Sequence, residues 1–336
     1  MKSSSRIKNS LRTPGLLSAM ISNINRQKKF IRKKIDPVIA EAAVINDGSL
    51  DEADLKKIRG YYGLAVPAVL GEAFCVLRGK NMTAAERLSS TSQGAMTGLG
   101  DDFFDRQRLS DAGVKALVEN PGEQSGNTAS EKLFLHFYTR ALSLAPDPAA
   151  MKQQLLKVFH AQLMSKQQKK GGLNYEVIKD ITLRKGAESV LFYRTAFGHP
   201  MGKGEEKALY ALGGLMQLSN DIFDVYPDLQ DNVDTLVTTA KYIHELRAFY
   251  LALLQIGQTA AYRSGYPAAN VKRFLEILTI GIFSRCLVCL DQLEKNEKRS
   301  GREFKPHLYK RKDLVCDMDT AINKWRSVRY HIKNTK

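Results

Sequence analysis

TAAERLSSTSQGAMTGLGDDFFD, residues 83–105, is the stretch on which the fold turns. Thr83 and Glu86 have the Thr-x-x-Glu spacing of a capping box. There the threonine hydroxyl accepts from the glutamate N–H and the carboxylate accepts from the threonine N–H. A helix is therefore expected to start at Thr83 and run through the segment, with Asp101, Asp102 and Asp105 near its C-terminal end. Partial negative charge gathers at that end, so three carboxylates there are disfavoured by the dipole and by one another. A cation offsets both penalties. Asp101 and Asp105, four apart, share one face where their oxygens can hold a divalent ion. All-oxygen ligation suits Mg²⁺ or Mn²⁺ rather than zinc.

The surrounding sequence is helical as well. Apolar residues recur at three- and four-residue steps in LKKIRGYYGLAVPAVLGEAFCVL (55–77), EKLFLHFYTRALSLA (131–145) and NVDTLVTTAKYIHELRAFYLALLQIG (232–257). No alternating β-branched run with a hairpin turn accompanies them, and no repeat of solenoid period is present. Sparse breaks, such as ENPGEQSGNT at 119–128 and FGHPMGKGEE at 197–206, divide long helices. The expected fold is all-α, one large helical bundle around a central apolar cavity.

The net charge of +16 on 336 residues is unevenly placed. Residues 1–34 hold ten Lys/Arg and no acid, and residues 295–336 hold thirteen against five acids, leaving a middle that is nearly neutral. The expected organisation is a basic N-terminal extension (1–34), a helical domain (35–294) and a basic C-terminal segment (295–336) packed on or closing that domain. Solvated faces explain the basic ends, as does attraction to anionic phosphates at a membrane surface or on a substrate. No helix-turn-helix, zinc-finger or RNP motif points to nucleic acid. The longest apolar runs are short for a bilayer span. Four cysteines without a disulfide pattern suit a reducing, cytoplasmic setting, with an organellar presequence in residues 1–34 as the alternative. Cys286 and Cys289 form a CxxC inside an apolar helical pattern, where a buried structural role outweighs zinc.

A second acidic cluster, QLSNDIFDVYPD, spans 217–228. Asn220, Asp224 and Asp228 are spaced i, i+4, i+8, which stacks three oxygen ligands on one helical face. Like the first cluster, it follows a glycine-containing apolar stretch, LYALGGLM. Two such helices facing one another would enclose an apolar cavity with a metal cluster at its mouth. Mg²⁺ completes its shell with water and substrate phosphate, so the implied ligand has a phosphate head and an apolar tail.

DDFFD together with LGGLMQLSNDIFD resembles the two aspartate-rich motifs of the class I isoprenoid synthases, the all-helical family of terpene synthases and trans-prenyl diphosphate synthases. The resemblance covers about residues 50–295. It implies metal ligation by Asp101, Asp102, Asp105, Asn220, Asp221, Asp224 and Asp228, with Asp101, Asp105, Asn220 and Asp224 central to catalysis. It implies diphosphate binding by Lys56 and Arg59 of LKKIRG, by Arg184 and Lys185 of LRKGA, and by Gln217. It also implies a cavity wall that includes Met96, Thr97, Phe104 and Gly213, and Mg²⁺, three ions in the family pattern, as cofactor. The implied substrate is a prenyl diphosphate, and a homodimer or peripheral membrane contact through the basic ends fits the same pattern.

The departures from the family bear on the reaction. Chain-elongating members follow the first motif with paired arginines and glycine, whereas this chain has RQRLSD, with Arg106 and Arg108. Asn220 stands where elongating members carry an aspartate. These features favour a terpene synthase, a carbon–oxygen lyase that ionises an allylic diphosphate. Chain-elongating prenyl transfer is the alternative, supported by Lys56 and Arg59, and a non-catalytic binding subunit is the third reading. Pro227 is expected to kink or end the helix just before Asp228. Arg329–Tyr330 is a weak counterpart of the Arg-Tyr pair found in many bacterial terpene synthases.

Overall fold

The structure is a computed structural model that describes residues 2–105 and 109–334. Arg106 and Arg108 lie outside the described residues, as do the side chains of residues 2–8 and of Asp105. Among the described residues the regular structure is helical throughout, without a strand. The fold class is all-α, as the periodicity predicts.

The principal elements are α1 (Lys2–Lys34), α2 (Asp36–Val44), α3 (Glu52–Arg78), α4 (Ala84–Asp105), α5 (Asp111–Glu119), α6 (Ala129–Leu144) and α7 (Pro148–Ser165). They continue as α8 (Tyr175–Arg194), α9 (Lys203–Phe223), α10 (Val225–Gln230), α11 (Ile243–Tyr262), α12 (Ala268–Leu278), α13 (Ser284–Arg299) and α14 (Ala321–Asn334). Their contacts divide the chain into two compact units. One comprises residues 17–159 and 192–200, and the other comprises residues up to 16, 160–191 and from 201 on.

The first unit is built around α4, which begins as its capping box dictates. Thr83 N donates to Glu86 Oε2 at 2.9 Å and Glu86 N to Thr83 Oγ1 at 3.2 Å. Arg78 forms a bidentate pair with the same carboxylate, and Gly198 N donates to it at 3.0 Å. Burial raises the Glu86 pKa, but Arg78 and the backbone donors prevail and hold it at about 2. Residues 17–34 of the basic segment belong to this core. Gln27 is fully buried, donates to Gly63 O at 3.0 Å and Thr91 Oγ1 at 2.9 Å, and accepts from Arg87. Helix α3 carries two π-helical turns, Lys57–Tyr61 and Val66–Gly71. By length and composition alone α3 could cross a bilayer, which the short apolar runs do not suggest, but 56% of its most apolar window is buried inside the fold.

In the second unit α9 packs along α11. Gly257 is the close contact, because a Cβ there would meet Leu212 Cδ2 at 2.6 Å. The basic C-terminal segment is tied in through α14. Ser284 and Ser327 share a hydroxyl hydrogen bond of 2.8 Å, and Tyr330 OH donates to Asp291 at 2.6 Å. Arg247 bridges Asp291 and Glu294 from α11. The start of α1 joins this unit, where Asn9 donates to Ile332 O and Arg12 pairs with Glu276. Cys286 and Cys289 are buried within α13.

Candidate active site

The first acidic motif ends α4, and α3 delivers the groups that meet it. Lys57 Nζ lies 2.6 Å from Asp102 Oδ1, and Tyr62 OH donates to Asp101 Oδ2 at 2.7 Å. Lys57 and Tyr62 are five residues apart. In an α-helix that separation turns side chains about 140° away from each other. The π-helical turn Lys57–Tyr61, with its i→i+5 pitch, returns both to the side that faces α4. Gly98 receives them, since a Cβ there would stand 3.2 Å from Lys57 Cβ and 3.3 Å from Tyr62 Cδ2. Gly94 lets the backbones touch, for its Cβ would fall 2.5 Å from Tyr62 O. The glycine stripe before the motif is thus filled by α3. Of the two explanations small residues admit, a cavity wall or close helix packing, the packing one describes Gly94 and Gly98.

Asp54 completes this cluster. It forms a reciprocal capping box with Asp51, is almost fully buried, and lies beside Asp102. Burial raises its pKa first, and the Asp102 carboxylate raises it further. Burial, followed by the charge of Asp101, pushes the Tyr62 phenol well above the ordinary range, so it stays a donor.

The Lys-x-x-Arg pair of α3 is placed elsewhere. Lys56 is exposed, and Arg59 pairs with Asp36 at 2.8 Å. Met96 is fully buried. Thr97 accepts from Tyr193 OH at 3.1 Å and donates to Gln93 O. Phe103 packs on Phe134 and Phe104 on Phe159, with ring centroids 5.4 and 5.8 Å apart.

The second motif ends α9 in the other unit, and α8 supplies its cation. The two helices cross with their backbones in contact at two glycines. A Cβ on Gly186 would stand 2.1 Å from Gly213 O, and one on Gly213 would stand 2.7 Å from Gly186 O. Gly213 is therefore the floor of a helix crossing. This crossing sets Lys185 beside the cluster, where its charge acts on Asp221, Asp224 and Asp228 together. Arg184 points to Asp180 at the surface, at 2.9 Å.

Asp221 is buried and accepts from Gln217 Nε2 at 2.8 Å and from Thr182 Oγ1 at 3.2 Å. Burial still raises its pKa to about 6. Asn220 Nδ2 donates to Asp224 Oδ2 at 3.0 Å. Asp228 is pushed furthest, to about 8, first by burial and then by the charges of Asp221 and Asp224, with Lys185 opposing. Pro227 does break the helix, but earlier than expected. Helix α9 stops at Phe223, Asp224 forms the bend, and Pro227 sits in the first turn of α10. The proline ring collides with the carbonyl four residues back, which moves the break there. Asp228 N still bonds Asp224 O at 2.9 Å, so the third carboxylate keeps its i+4 step.

Among the described residues no group of three or more His, Cys, Asp or Glu side chains stands ready-made around a metal position. The donor chemistry of the second cluster nonetheless fits a hard cation. One buried and two half-buried carboxylates share a single lysine, and their raised pKa values mark a cluster whose ionised form a divalent ion would favour. Tyr330 hydrogen-bonds to Asp291, and Arg329 lies over Trp325 at 5.6 Å, so this Arg-Tyr pair is engaged within the C-terminal packing.

The residues that sequence reasoning missed are Lys57, Tyr62, Asp54 and Thr182. Only the π-helical turn reveals the first two. Compared with models of known protein families, with curated proteins and with solved structures, the chain matches none.

Proposed function

We propose that this chain is a Mg²⁺-dependent class I terpene synthase, which ionises an allylic prenyl diphosphate. The observation that carries the reading is the clustering of Asp221, Asp224 and Asp228 at the end of α9, with Lys185 as the one cation whose charge acts on all three. It occurs at the end of a helix whose sequence resembles the second motif of that family. The family pattern adds Asp101, Asp102 and Asp105 of the first motif as further ligands.

In this reading Asp101, Asp102, Asp105, Asn220, Asp224 and Asp228 hold the cations, and Asp221 backs them from its bonds to Thr182 and Gln217. Bound Mg²⁺ supplies Lewis-acid neutralisation of the diphosphate leaving group. Lys185 adds positive charge as the carbon–oxygen bond breaks and both its electrons leave with diphosphate. Tyr62 and Lys57 hold Asp101 and Asp102 in fixed orientations, which limits reorganisation during the step. The allylic cation left behind then loses a proton or cyclises in surroundings from which water is excluded.

Chain elongation has less support, because Arg59 of the Lys-x-x-Arg pair is engaged by Asp36 and Lys56 is exposed. The test is incubation with Mg²⁺ and geranyl, farnesyl or geranylgeranyl diphosphate, each with and without isopentenyl diphosphate. Hydrocarbon from the allylic substrate alone supports the synthase. Product formed only with both substrates assigns the prenyltransferase, and diphosphate binding without turnover overturns the enzyme reading.

A further inference from the structure

In the unit that carries Lys185, the start of α9 and the second half of α11 enclose a groove of about 640 Å³, well within the range of small-molecule sites. Three cations edge it. Lys203 and Lys207 stand one turn apart on α9, and Arg263 follows the end of α11. No carboxylate lines the groove, and among the described residues none of the three cations is ion-paired. Glu205, in the same first turn, is turned inward, fully buried and bonded by Tyr266 OH at 2.6 Å.

The convergence has a backbone cause. A Cβ on Gly204 would lie 2.6 Å from Arg263 O, so only glycine lets the two chain segments touch there. Along the floor Ala252, Ile256 and Ala260 recur every four residues, and Ile256 is 58% exposed. Exposed Glu206 lies between Lys203 and Lys207 in sequence but does not line the groove, so an anion bound there meets three cations and no acid. An apolar strip beside them suits a tail.

We propose that this groove binds the phosphate group of an amphiphile, with the head among Lys203, Lys207 and Arg263 and the tail along Ile256. The head can belong to an anionic phospholipid in a bilayer or to a free prenyl diphosphate. The site shares no residue with the two acidic clusters and does not depend on the proposed reaction.

The test compares the full chain with the Lys203→Gln/Lys207→Gln/Arg263→Gln variant, both in EDTA so that metal-mediated binding at the carboxylates is suppressed. One arm is co-sedimentation with phosphatidylcholine vesicles with and without phosphatidylglycerol. The other is calorimetric titration with farnesyl thiodiphosphate, with inorganic diphosphate as the tail-free control. The wild type is expected to bind in at least one arm, more weakly as salt rises. The triple variant should bind at least about tenfold more weakly, on the scale of one kcal/mol per cation. Binding to phosphatidylglycerol vesicles alone assigns the head to lipid, and binding to the thiodiphosphate alone assigns it to a soluble ligand. Absence of binding in both arms overturns the proposal, as does a variant that binds like the wild type. Should circular dichroism show the triple variant misfolded, Arg263→Gln and Ile256→Asp are read in its place. An Asp224→Asn chain should lose turnover yet give wild-type curves, which separates this inference from the catalytic reading.

Discussion

Lys57 Nζ meets Asp102 Oδ1 at 2.6 Å while Lys56, its neighbour and the residue the family spacing nominates, is exposed. Asp102 is 4% exposed and already adjoins Asp54, so removal of the lysine charge leaves it poorly compensated. The expected result for Lys57→Met is a loss of about 2 kcal/mol in urea denaturation, below the cost for a wholly buried pair because Lys57 is partly exposed. Lys56→Met should fall within about 0.5 kcal/mol of wild type. Equal effects at the two positions would refute the assignment of Lys57 as the partner of the first motif.

The glycine crossing of α8 and α9 predicts a sharp contrast among glycines. In Gly213→Ala the new methyl would meet Gly186 O at 2.7 Å and Ala187 Cα at 2.8 Å, both backbone atoms that cannot turn aside. A destabilisation of about 3 kcal/mol is expected, with turnover lost as Lys185 moves from the carboxylates. Gly60 has nothing within 4 Å of its ideal Cβ, so Gly60→Ala should be neutral or gain up to about 1 kcal/mol. Thermal melts of the two variants side by side give the answer.

Asp228 links pH, cation and stability. Its pKa rises from 3.8 to about 8 on folding, so the fold favours the protonated acid. The stabilisation is fully present below 3.8 and is lost as pH rises through about 8. Asp228→Asn should therefore melt increasingly above the wild type as pH climbs through that window. Added Mg²⁺ should raise the wild-type melting temperature at the alkaline end and leave Asp224→Asn/Asp228→Asn unmoved. A variant stabilised by Mg²⁺ as strongly as the wild type would sink the cation assignment.

Glu86 has the opposite sign. Its pKa falls from 4.5 to about 2, so its contribution is present above 4.5 and disappears as pH drops through about 2. Glu86→Gln should cost up to about 3 kcal/mol near neutrality and progressively less in acid. Urea midpoints measured across that range distinguish this from a pH-independent packing defect.

What the sequence disclosed follows from how local each feature is. The capping box at Thr83 and Glu86 involves only residues three apart, so its letters suffice. The i, i+4, i+8 spacing of Asn220, Asp224 and Asp228 likewise survives, even across the bend that Pro227 sets. The division into two units is only partly marked, because the chain passes from one to the other three times inside helices, α1, α7 and α8, and once at the glycine- and proline-containing break of 197–206. The glycines before the first motif looked equally suited to cavity or contact, since small residues report space without saying what fills it. Lys57 has no such local signature, because the family spacing nominates Lys56 and only the π-helical turn brings Lys57 to Asp102.

That turn also makes the chain tolerant of a change in length in a way no substitution reveals. A π-helical turn behaves as an α-helix with one residue too many, an insertion absorbed without disturbing the helix on either side. Loss of a single residue within Lys57–Tyr61, Gly60 for instance, would let α3 close as ordinary helix and keep its apolar contacts downstream. Lys57 and Tyr62 would then stand four residues apart in an α-helix, about 40° apart and on one face, so Asp101 and Asp102 would keep their two holders. A deletion scan, rather than an alanine scan, is where that tolerance would show.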